Sequence, residues 1–205
     1  MHKKICILDY GLGNVKSLFN ALSQIGHTPY LYSSNTSKHF DLIFIPGVGS
    51  FSKASEILHS GKYLNFLNIL NKDAMIFGIC LGMQLFASEG EENGKSSGLN
   101  YIAGKTEKLK HSSNNLILPF VGYFDVSFDK RIKYLESFNL SKFYFVHSYK
   151  FLPKNNEHIL STTTNQGVTY CSSVINKRFI GTQFHPEKSG DIGLEFLKTI
   201  INNNL

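Results

Sequence analysis

The sequence has few cysteines, no complete nucleotide-binding motif and no long apolar run, and each shortage excludes a class of protein. Three cysteines occur in 205 residues, far apart and without a Cys-x-x-Cys pair, which argues against a disulfide framework or a structural zinc site. Gly11-Leu12-Gly13 lacks the third glycine of a dinucleotide-binding motif, because Lys16 stands in its place. We therefore expect neither a metal nor a cofactor.

The apolar stretches are also too short for a membrane protein. None approaches the ~20 residues that a spanning helix requires, and the apolar stretch Ile5–Leu8 near the N-terminus is too short for the core of a signal peptide. The formal net charge is +6, but the lysines are scattered, which favours a solvated basic surface over a nucleic-acid site. We expect a cytoplasmic protein that binds neither nucleic acid nor membrane.

Apolar periodicity predicts an α/β protein with a single domain over residues 1–205. In the first half, short buried strands alternate with helical stripes, which is typical of a parallel sheet covered on both faces. The second half is rich in strand-like segments and ends in an amphipathic helix. Strands are expected at 4–9, 42–45, 75–79, 101–109, 117–128, 143–151, 158–164, 168–175 and 178–184, and helices at 15–25, 51–71, 81–88 and 190–202.

The candidate nucleophile is Cys80, which lies in a Gly-x-Cys-x-Gly motif between a predicted strand and a predicted helix. This motif is the Gly-x-Ser-x-Gly nucleophile elbow with sulfur in place of oxygen. The two glycines let the sharp turn close, the N-terminus of the helix favours a thiolate, and the N–H of Leu81 can bind a developing oxyanion. An isolated cysteine is more often a small buried hydrophobe, and we keep that interpretation for Cys6 and Cys171.

A nucleophilic thiol needs a base, and the base needs an orienting partner. His185 and Glu187 flank a proline directly after a predicted strand. The carboxylate can fold back onto the imidazole and fix its tautomer, which leaves the other ring nitrogen for the thiol. A surface His and Glu beside a turn proline is the alternative, but the cysteine elbow favours the catalytic interpretation. His147 is the next candidate base, although no carboxylate follows it closely.

A glycine loop provides a second candidate for oxyanion binding. Gly47-Val48-Gly49 follows Pro46 at the end of a predicted strand, where glycines let backbone N–H groups approach a ligand closely. Ligands of open α/β sheets bind beyond the carboxyl ends of the strands, where Cys80 is also expected. Taken alone, the loop is more often an ordinary Pro-Gly turn.

Together these motifs resemble the class I, triad-type glutamine amidotransferases, and most strongly the glutaminase subunits of imidazole glycerol phosphate synthases. The resemblance extends in order over nearly the whole chain and implies a flavodoxin-like fold with a mostly parallel, twisted central sheet flanked by helices. The matching segments are 9–14 (DYGLGN), 46–51 (PGVGSF), 78–85 (GICLGMQL), 144–149 (YFVHSY) and 183–190 (QFHPEKSG).

The resemblance implies that Cys80 attacks the side-chain amide of glutamine, forms a thioester and releases ammonia, with His185 and Glu187 completing the triad. Val48, Gly49 and Leu81 would supply the oxyanion hole. The residues that match the family's glutamine site are Gly47, Gln84, Glu92, Ser148 and Tyr149. Glu92 belongs to an acidic run with Glu89 and Glu91, and this run could equally be a solvated loop.

The resemblance also implies a partner, because the family's glutaminase forms a heterodimer with a (β/α)8-barrel synthase in histidine biosynthesis. The stretch that usually faces this partner reads Pro-His-Met-Gly-Trp, but residues 119–123 read Pro-Phe-Val-Gly-Tyr. Tyr123 keeps an aromatic interface residue, whereas the loss of the histidine suggests an altered partner surface. Similar glutaminases supply ammonia for amidino groups on bacterial surface sugars, which is the alternative role.

Two further hypotheses remain from the sequence. A cysteine peptidase or similar hydrolase of the same fold would have a comparable triad, although the glycine loop and the His-Ser-Tyr segment favour glutamine. A non-catalytic interaction subunit would show a broken triad, and the sequence shows an intact one.

Overall fold

The computed structural model describes residues 3–32, 39–110 and 116–203. Within these ranges no helix is long and apolar enough to cross a membrane. The helices are α1 Val15–Gln24, α2 Phe51–Leu58, α3 Lys62–Asn65, α4 Leu81–Gln84 and α5 Gly190–Asn202, with a π-helical turn at Phe66–Leu70 and 3-10 turns at Lys133–Phe138, Asn156–His158 and Pro186–Lys188.

The strands form one large sheet and one small sheet. The large sheet has nine strands in the order β2-β1-β3-β4-β13-β12-β11-β8-β9, and the small sheet has four in the order β10-β7-β5-β6. Their bounds are β1 Ile5–Leu8, β2 Tyr30–Tyr32, β3 Leu42–Gly47, β4 Met75–Cys80, β5 Glu89–Gly90, β6 Ser96–Ser97, β7 Gly104–Lys108, β8 Phe120–Phe128, β9 Ser141–His147, β10 Tyr149–Pro153, β11 Ile159–Asn165, β12 Val168–Asn176 and β13 Phe179–Thr182.

The large sheet is parallel at one end and antiparallel at the other. Strands β2, β1, β3, β4 and β13 run parallel, whereas β12, β11, β8 and β9 pair antiparallel to their neighbours. This arrangement agrees with the predicted change from strand–helix alternation to strand-rich sequence. Strand β4 lies between β3 and β13, with Gly47 paired to Cys80 and Ile79 paired to Thr182. The carboxyl ends of these three strands therefore meet at one place.

The parallel strands read as continuous apolar runs because both of their faces are covered. Alternate residues of a strand point to opposite faces, so Phe44 and Ile43 belong to two different core clusters. One cluster receives buried residues of α1 and α5, such as Leu18 and Phe196. The other receives buried residues of α2, such as Phe51. The α/β fold class is thus confirmed.

Three predicted segments differ most from the structure. The helix expected over 51–71 is interrupted after Leu58 and continues as α3 and the π-helical turn. The helix expected over 81–88 is a single turn, because the chain after Gln84 leaves it to hydrogen-bond with the small sheet, as Ser88 N–H does with the carbonyl of Gly104. The strand expected over 143–151 is two strands, β9 and β10, which are separated at Ser148 and belong to different sheets. That break turns Ser148 and Tyr149 toward the end of β4.

Candidate active site

Cys80 lies at the tight turn between β4 and α4. Its φ is +54°, a left-handed conformation that costs free energy in a residue with a Cβ. The surrounding backbone enforces this conformation by close packing. A Cβ on Gly78 would lie 2.6 Å from the backbone carbonyl carbon of Gly82, and a Cβ on Gly82 would overlap the carbonyl oxygen of Ile45. Both glycines of the motif are therefore required by the packing of the turn.

His185 lies just beyond β13, the strand next to β4, and is fixed at both ends. Its backbone N–H donates to the carbonyl of Tyr144 at 2.8 Å, and its carbonyl accepts from the hydroxyl of Ser189 at 2.6 Å. The ring Nδ1 is 2.8 Å from Glu187 Oε1, with only 2% and 3% of the two side chains exposed. Nδ1 donates to this carboxylate, which leaves Nε2 as the nitrogen available to the thiol.

The charges in this buried group are coupled. Burial by itself lowers the pKa of His185, but the negative charge of a Cys80 thiolate, a hydrogen bond to that sulfur and the Glu187 carboxylate outweigh burial and raise it above its ordinary value. The imidazole is therefore positively charged at neutral pH when it faces the thiolate. A thiolate that faces a charged imidazole in this way is the activated form of a nucleophilic cysteine.

A cavity of about 590 Å³ opens beside Cys80 and brings together residues that are far apart in the sequence. Seven residues expected to bind the oxyanion or the glutamine line it with the nucleophile, namely Val48, Gly49, Leu81, Gln84, Glu92, Ser148 and Tyr149. Gly47, the eighth such residue, ends β3 and is buried. A Cβ at this position would lie 2.6 Å from the hydroxyl of Tyr10 and 2.8 Å from the Cβ of Leu81. Gly47 therefore contributes by close packing and does not line the cavity.

Two elements of the cavity carry backbone N–H groups near the sulfur. Leu81 is the first residue of α4, where N–H groups have no acceptor within the helix. Gly49 has a φ of +109°, a conformation open to glycine, and it follows Val48, whose side chain is 39% exposed at the cavity. This placement suits the binding of an oxyanion from two sides.

The side chains of the expected glutamine site differ in how many of their polar atoms already form hydrogen bonds within the protein. Gln84 uses both hydrogens of its amide nitrogen internally, because Nε2 is 3.0 Å from the carbonyl oxygen of Tyr149 and 3.0 Å from Gln183 Oε1. Glu92 Oε2 accepts the backbone N–H of Phe51 at 2.6 Å, at the start of α2. Glu92 is thereby tied to the helix that follows the glycine loop, while the carboxylate still lines the cavity, where it can meet an ammonium group.

Two further polar residues lie in this region, namely Gln183, which the sequence analysis did not single out, and His147, which it named only as the next candidate base. Gln183 is fully buried, and its Nε2 lies 3.6 Å from Cys80 Sγ. His147 lines the cavity, and its Nδ1 lies 2.8 Å from the carbonyl oxygen of Tyr149. Burial lowers the pKa of His147 to about 4, so it is neutral and unsuited as a base at neutral pH. The signal that could have revealed Gln183 is its polar amide directly after an apolar strand, because a buried amide must find hydrogen-bond partners.

Tyr123 lies on the surface near the mouth of this cavity. It is 54% exposed, contacts the ring of Tyr144 edge-on, and donates its hydroxyl to the carbonyl of Lys188 at 3.0 Å. Tyr144 and Lys188 both line the cavity. In contrast, Phe120 is buried and packs against His147 and other rings. The replacement of histidine at residue 120 is therefore a change in the core, so the sequence-based interpretation of this position as partner surface is wrong.

Comparison with known proteins agrees with the geometry of the site. The family model described as glutamine amidotransferase class-I matches residues 6–201. The chain therefore belongs to the class I glutamine amidotransferase family. Among solved structures, a putative GMP synthase subunit from Thermoplasma acidophilum is similar with a TM-score of 0.72 at 18% identity, over 98% of this chain and 94% of that one. This likeness concerns the fold alone.

Curated relatives narrow the similarity within the family. The chain is 38% identical over 199 residues to imidazole glycerol phosphate synthase subunit HisH of Buchnera aphidicola, covering 96% of this chain and 98% of that protein. It is 33% identical over 207 residues to the HisH subunit of Pelagibacter ubique, covering 97% and 99%. It also matches the chloroplastic imidazole glycerol phosphate synthase hisHF of Arabidopsis thaliana, at 33% identity over 98% of this chain and 34% of that protein.

Proposed function

We propose that this protein is the glutaminase subunit of an imidazole glycerol phosphate synthase and that Cys80, His185 and Glu187 are its catalytic triad. The Cys80 thiolate attacks the side-chain amide carbon of glutamine, and the C–N bond breaks as His185 protonates the departing ammonia. Water then attacks the thioester carbon as His185 accepts its proton, the C–S bond breaks to regenerate the Cys80 thiolate, and glutamate leaves. The N–H groups of Leu81 and of the Val48–Gly49 loop stabilise the oxyanion in both steps.

The observation that carries this proposal is the convergence of the Cys80 turn, the buried His185–Glu187 pair and the cavity at the end of β4. The cavity is lined by Cys80 together with Leu81, Val48 and Gly49. Glu92, at the cavity wall, supplies a carboxylate for the ammonium group of the substrate, and Ser148 and Tyr149 add hydroxyl groups to the lining of the same cavity. A substrate with both a charged α-amino group and a side-chain amide fits this distribution of polar groups.

The proposed partner is a (β/α)8-barrel synthase subunit that receives the ammonia and makes imidazole glycerol phosphate and aminoimidazole carboxamide ribotide, in the cytoplasm. The fused Arabidopsis relative, of which this chain matches only 34%, supports an assembly of two parts. We place the partner at the cavity mouth, around Tyr123, because an exposed aromatic side chain there is typical of an interface anchor. The names of the relatives favour histidine biosynthesis over the amidination of surface sugars.

Replacement of the nucleophile tests the proposal. Cys80→Ala should abolish the release of glutamate from glutamine in the presence of the barrel partner, because no thioester can form. Cys171→Ala is the matched control, since Cys171 is buried in strand β12, away from the cavity. Full glutaminase activity of Cys80→Ala would overturn the proposal. Peptide cleavage by the wild-type protein without hydrolysis of glutamine would instead support the peptidase hypothesis.

A further inference from the structure

A buried chain of hydrogen bonds ends on the sulfur of Cys80. The amide nitrogen of Gln183 lies 3.6 Å from Cys80 Sγ, and the amide oxygen of Gln183 accepts from Gln84 Nε2 at 3.0 Å. Gln84 Nε2 also donates to the carbonyl of Tyr149 at 3.0 Å. Gln183 is fully buried and Gln84 is 5% exposed, so bulk water does not compete for these bonds.

The backbone carbonyl of Tyr149, at the far end of this series, fixes which atom donates in every one of its hydrogen bonds. A backbone carbonyl only accepts, so the end of the Gln84 amide that faces Tyr149 must be its nitrogen. That nitrogen uses its second hydrogen on Gln183, so the Gln183 amide must turn its oxygen toward Gln84. Its NH2 group is then left for the sulfur of Cys80. His147 Nδ1 donates to the same Tyr149 carbonyl at 2.8 Å, which holds this acceptor in place.

Reversal of either amide would be costly. If Gln183 were turned over, its NH2 group would face the NH2 group of Gln84, and its oxygen would face the sulfur. Two donors would then oppose each other at Gln84, and two acceptors would oppose each other at the Cys80 thiolate, away from water, where unpaired polar groups are expensive. The network therefore presents an N–H donor to the nucleophile in one orientation only.

We propose that Gln183 is a positioning residue for the nucleophile, which donates an N–H to the sulfur of Cys80 and favours the thiolate, and that Gln84 acts through Gln183 to hold it in that orientation. This inference rests on the proposed function, since it takes Cys80 as the nucleophile. It also revises the role expected for Gln84. Its amide nitrogen already donates to Tyr149 and to Gln183 and is not available to the substrate. We call this series of hydrogen bonds from Tyr149 through Gln84 and Gln183 to Cys80 the relay. As the sulfur bonds to carbon its negative charge disappears, so the bond from Gln183 matters most in the free enzyme.

Gln183→Met tests the first part, because methionine has a similar length and lacks the donor. Without the donor, the pH midpoint of Cys80 alkylation by iodoacetamide should move to higher pH. At pH values below the wild-type midpoint the rate should fall by about 10-fold, as expected for loss of a hydrogen bond to a charged group. At alkaline pH the two rates should converge, since the sulfur is then ionised in both proteins. Gln166→Met, at an exposed hairpin position, is the matched control, and Cys80→Ala gives the background rate.

A profile that superimposes on the wild type would overturn the role of Gln183. So would a rate that falls equally at every pH, because this pattern indicates displacement of the sulfur and not loss of a donor. If Gln183→Met does not fold, as judged by thermal unfolding, Gln84→Met decides the question. It removes no atom in contact with the sulfur, and the relay predicts that it shifts the midpoint in the same direction.

The coupling of the two glutamines is tested by a double-mutant cycle. Gln84→Met should shift the midpoint in the wild-type background and have little effect in the Gln183→Met background, whereas additive shifts would refute the relay. The inference and the proposed function fail separately. Persistent turnover by Cys80→Ala refutes the proposed function, but an inactive Cys80→Ala with an unchanged Gln183→Met profile refutes only the inference.

Discussion

The replacement Glu187→Gln isolates the contribution of one charge to the proposed triad. Glu187 Oε1 accepts from His185 Nδ1 at 2.8 Å, and both side chains are almost completely buried, so solvent does not screen the interaction. Glutamine has nearly the same shape and can still offer an oxygen to Nδ1–H. The change therefore removes the negative charge and leaves the packing intact.

The expected loss follows from the strength of this bond. A hydrogen bond to a charged group contributes about 1.5–3 kcal/mol, and ~1.36 kcal/mol corresponds to a tenfold change in rate. The value of kcat/KM for glutamine, measured with the synthase partner, should fall by about 10- to 100-fold. If the new amide turns its NH2 group toward Nδ1, it stabilises the wrong tautomer, and the loss is larger, roughly 10⁴-fold as for the equivalent change in other triads.

The pH dependence gives an independent measure of the same bond. Because the folded-state pKa of His185 lies above its ordinary value of 6.5, the charged imidazole stabilises the fold fully below that ordinary value. This stabilisation is lost as the pH rises through the raised value. The free energy of unfolding of Glu187→Gln should therefore differ most from wild type in mildly acidic solution, and the difference should shrink at alkaline pH.

Chemical denaturation across this pH range, with Glu195→Gln as the control, measures the difference. Glu195 lies on α5 with 61% of its side chain exposed, so its replacement should change neither activity nor stability appreciably. Wild-type kcat/KM in Glu187→Gln would refute the orienting role of the carboxylate. A stability difference that grows with rising pH would refute the sign of the His185 shift.

Other predictions concern the cysteines, the elbow and the buried histidine. Iodoacetamide should label one cysteine per native chain, Cys80, because burial raises the pKa of both Cys6 and Cys171 to about 12, and mass spectrometry that found rapid labelling of either would contradict this. Gly82→Ala should abolish glutaminase activity and lower thermal stability, because its methyl group would overlap the backbone of β3, and an active variant would show that the turn can relax. NMR should show His147 neutral and protonated at Nδ1 down to about pH 5, since its pKa is about 4, and titration near its ordinary value would disprove its burial.

Much of the parallel half of the fold could be predicted because its signals are local. Strands such as β3 and β4 are short apolar runs ended by glycines, and α1 has a clear apolar stripe before Gly26. The two glycines around Cys80 and the His-Pro-Glu tripeptide are equally local patterns. Chemistry that depends on such patterns can be inferred directly from the order of the residues.

Other features depend on contacts that the sequence does not display. The break at Ser148 between β9 and β10 has no glycine or proline to mark it, so the segment reads as one strand. Phe120 and Tyr123 are both aromatic residues of β8, and only the packing of Phe120 against the rings of His147 and Tyr170 shows that it is the buried one. Gln183 looks like an ordinary polar residue beside a catalytic motif until its hydrogen bonds are known.

The proposed nucleophile, Cys80, is the last residue of β4, and its proposed base, His185, lies just beyond β13. These two strands are neighbours in the sheet and are hydrogen-bonded to each other. Their separation is therefore set by the spacing between strands, about 4.8 Å, and not by the length of chain that joins them. The intervening residues, 81–178, form the small sheet, the antiparallel half of the large sheet and the surface around the exposed Tyr123. This segment can therefore gain insertions, deletions and new surfaces without changing the distance from the Cys80 sulfur to the His185 imidazole. A fold of this kind can change the partner that receives its ammonia without rebuilding the apparatus that releases it.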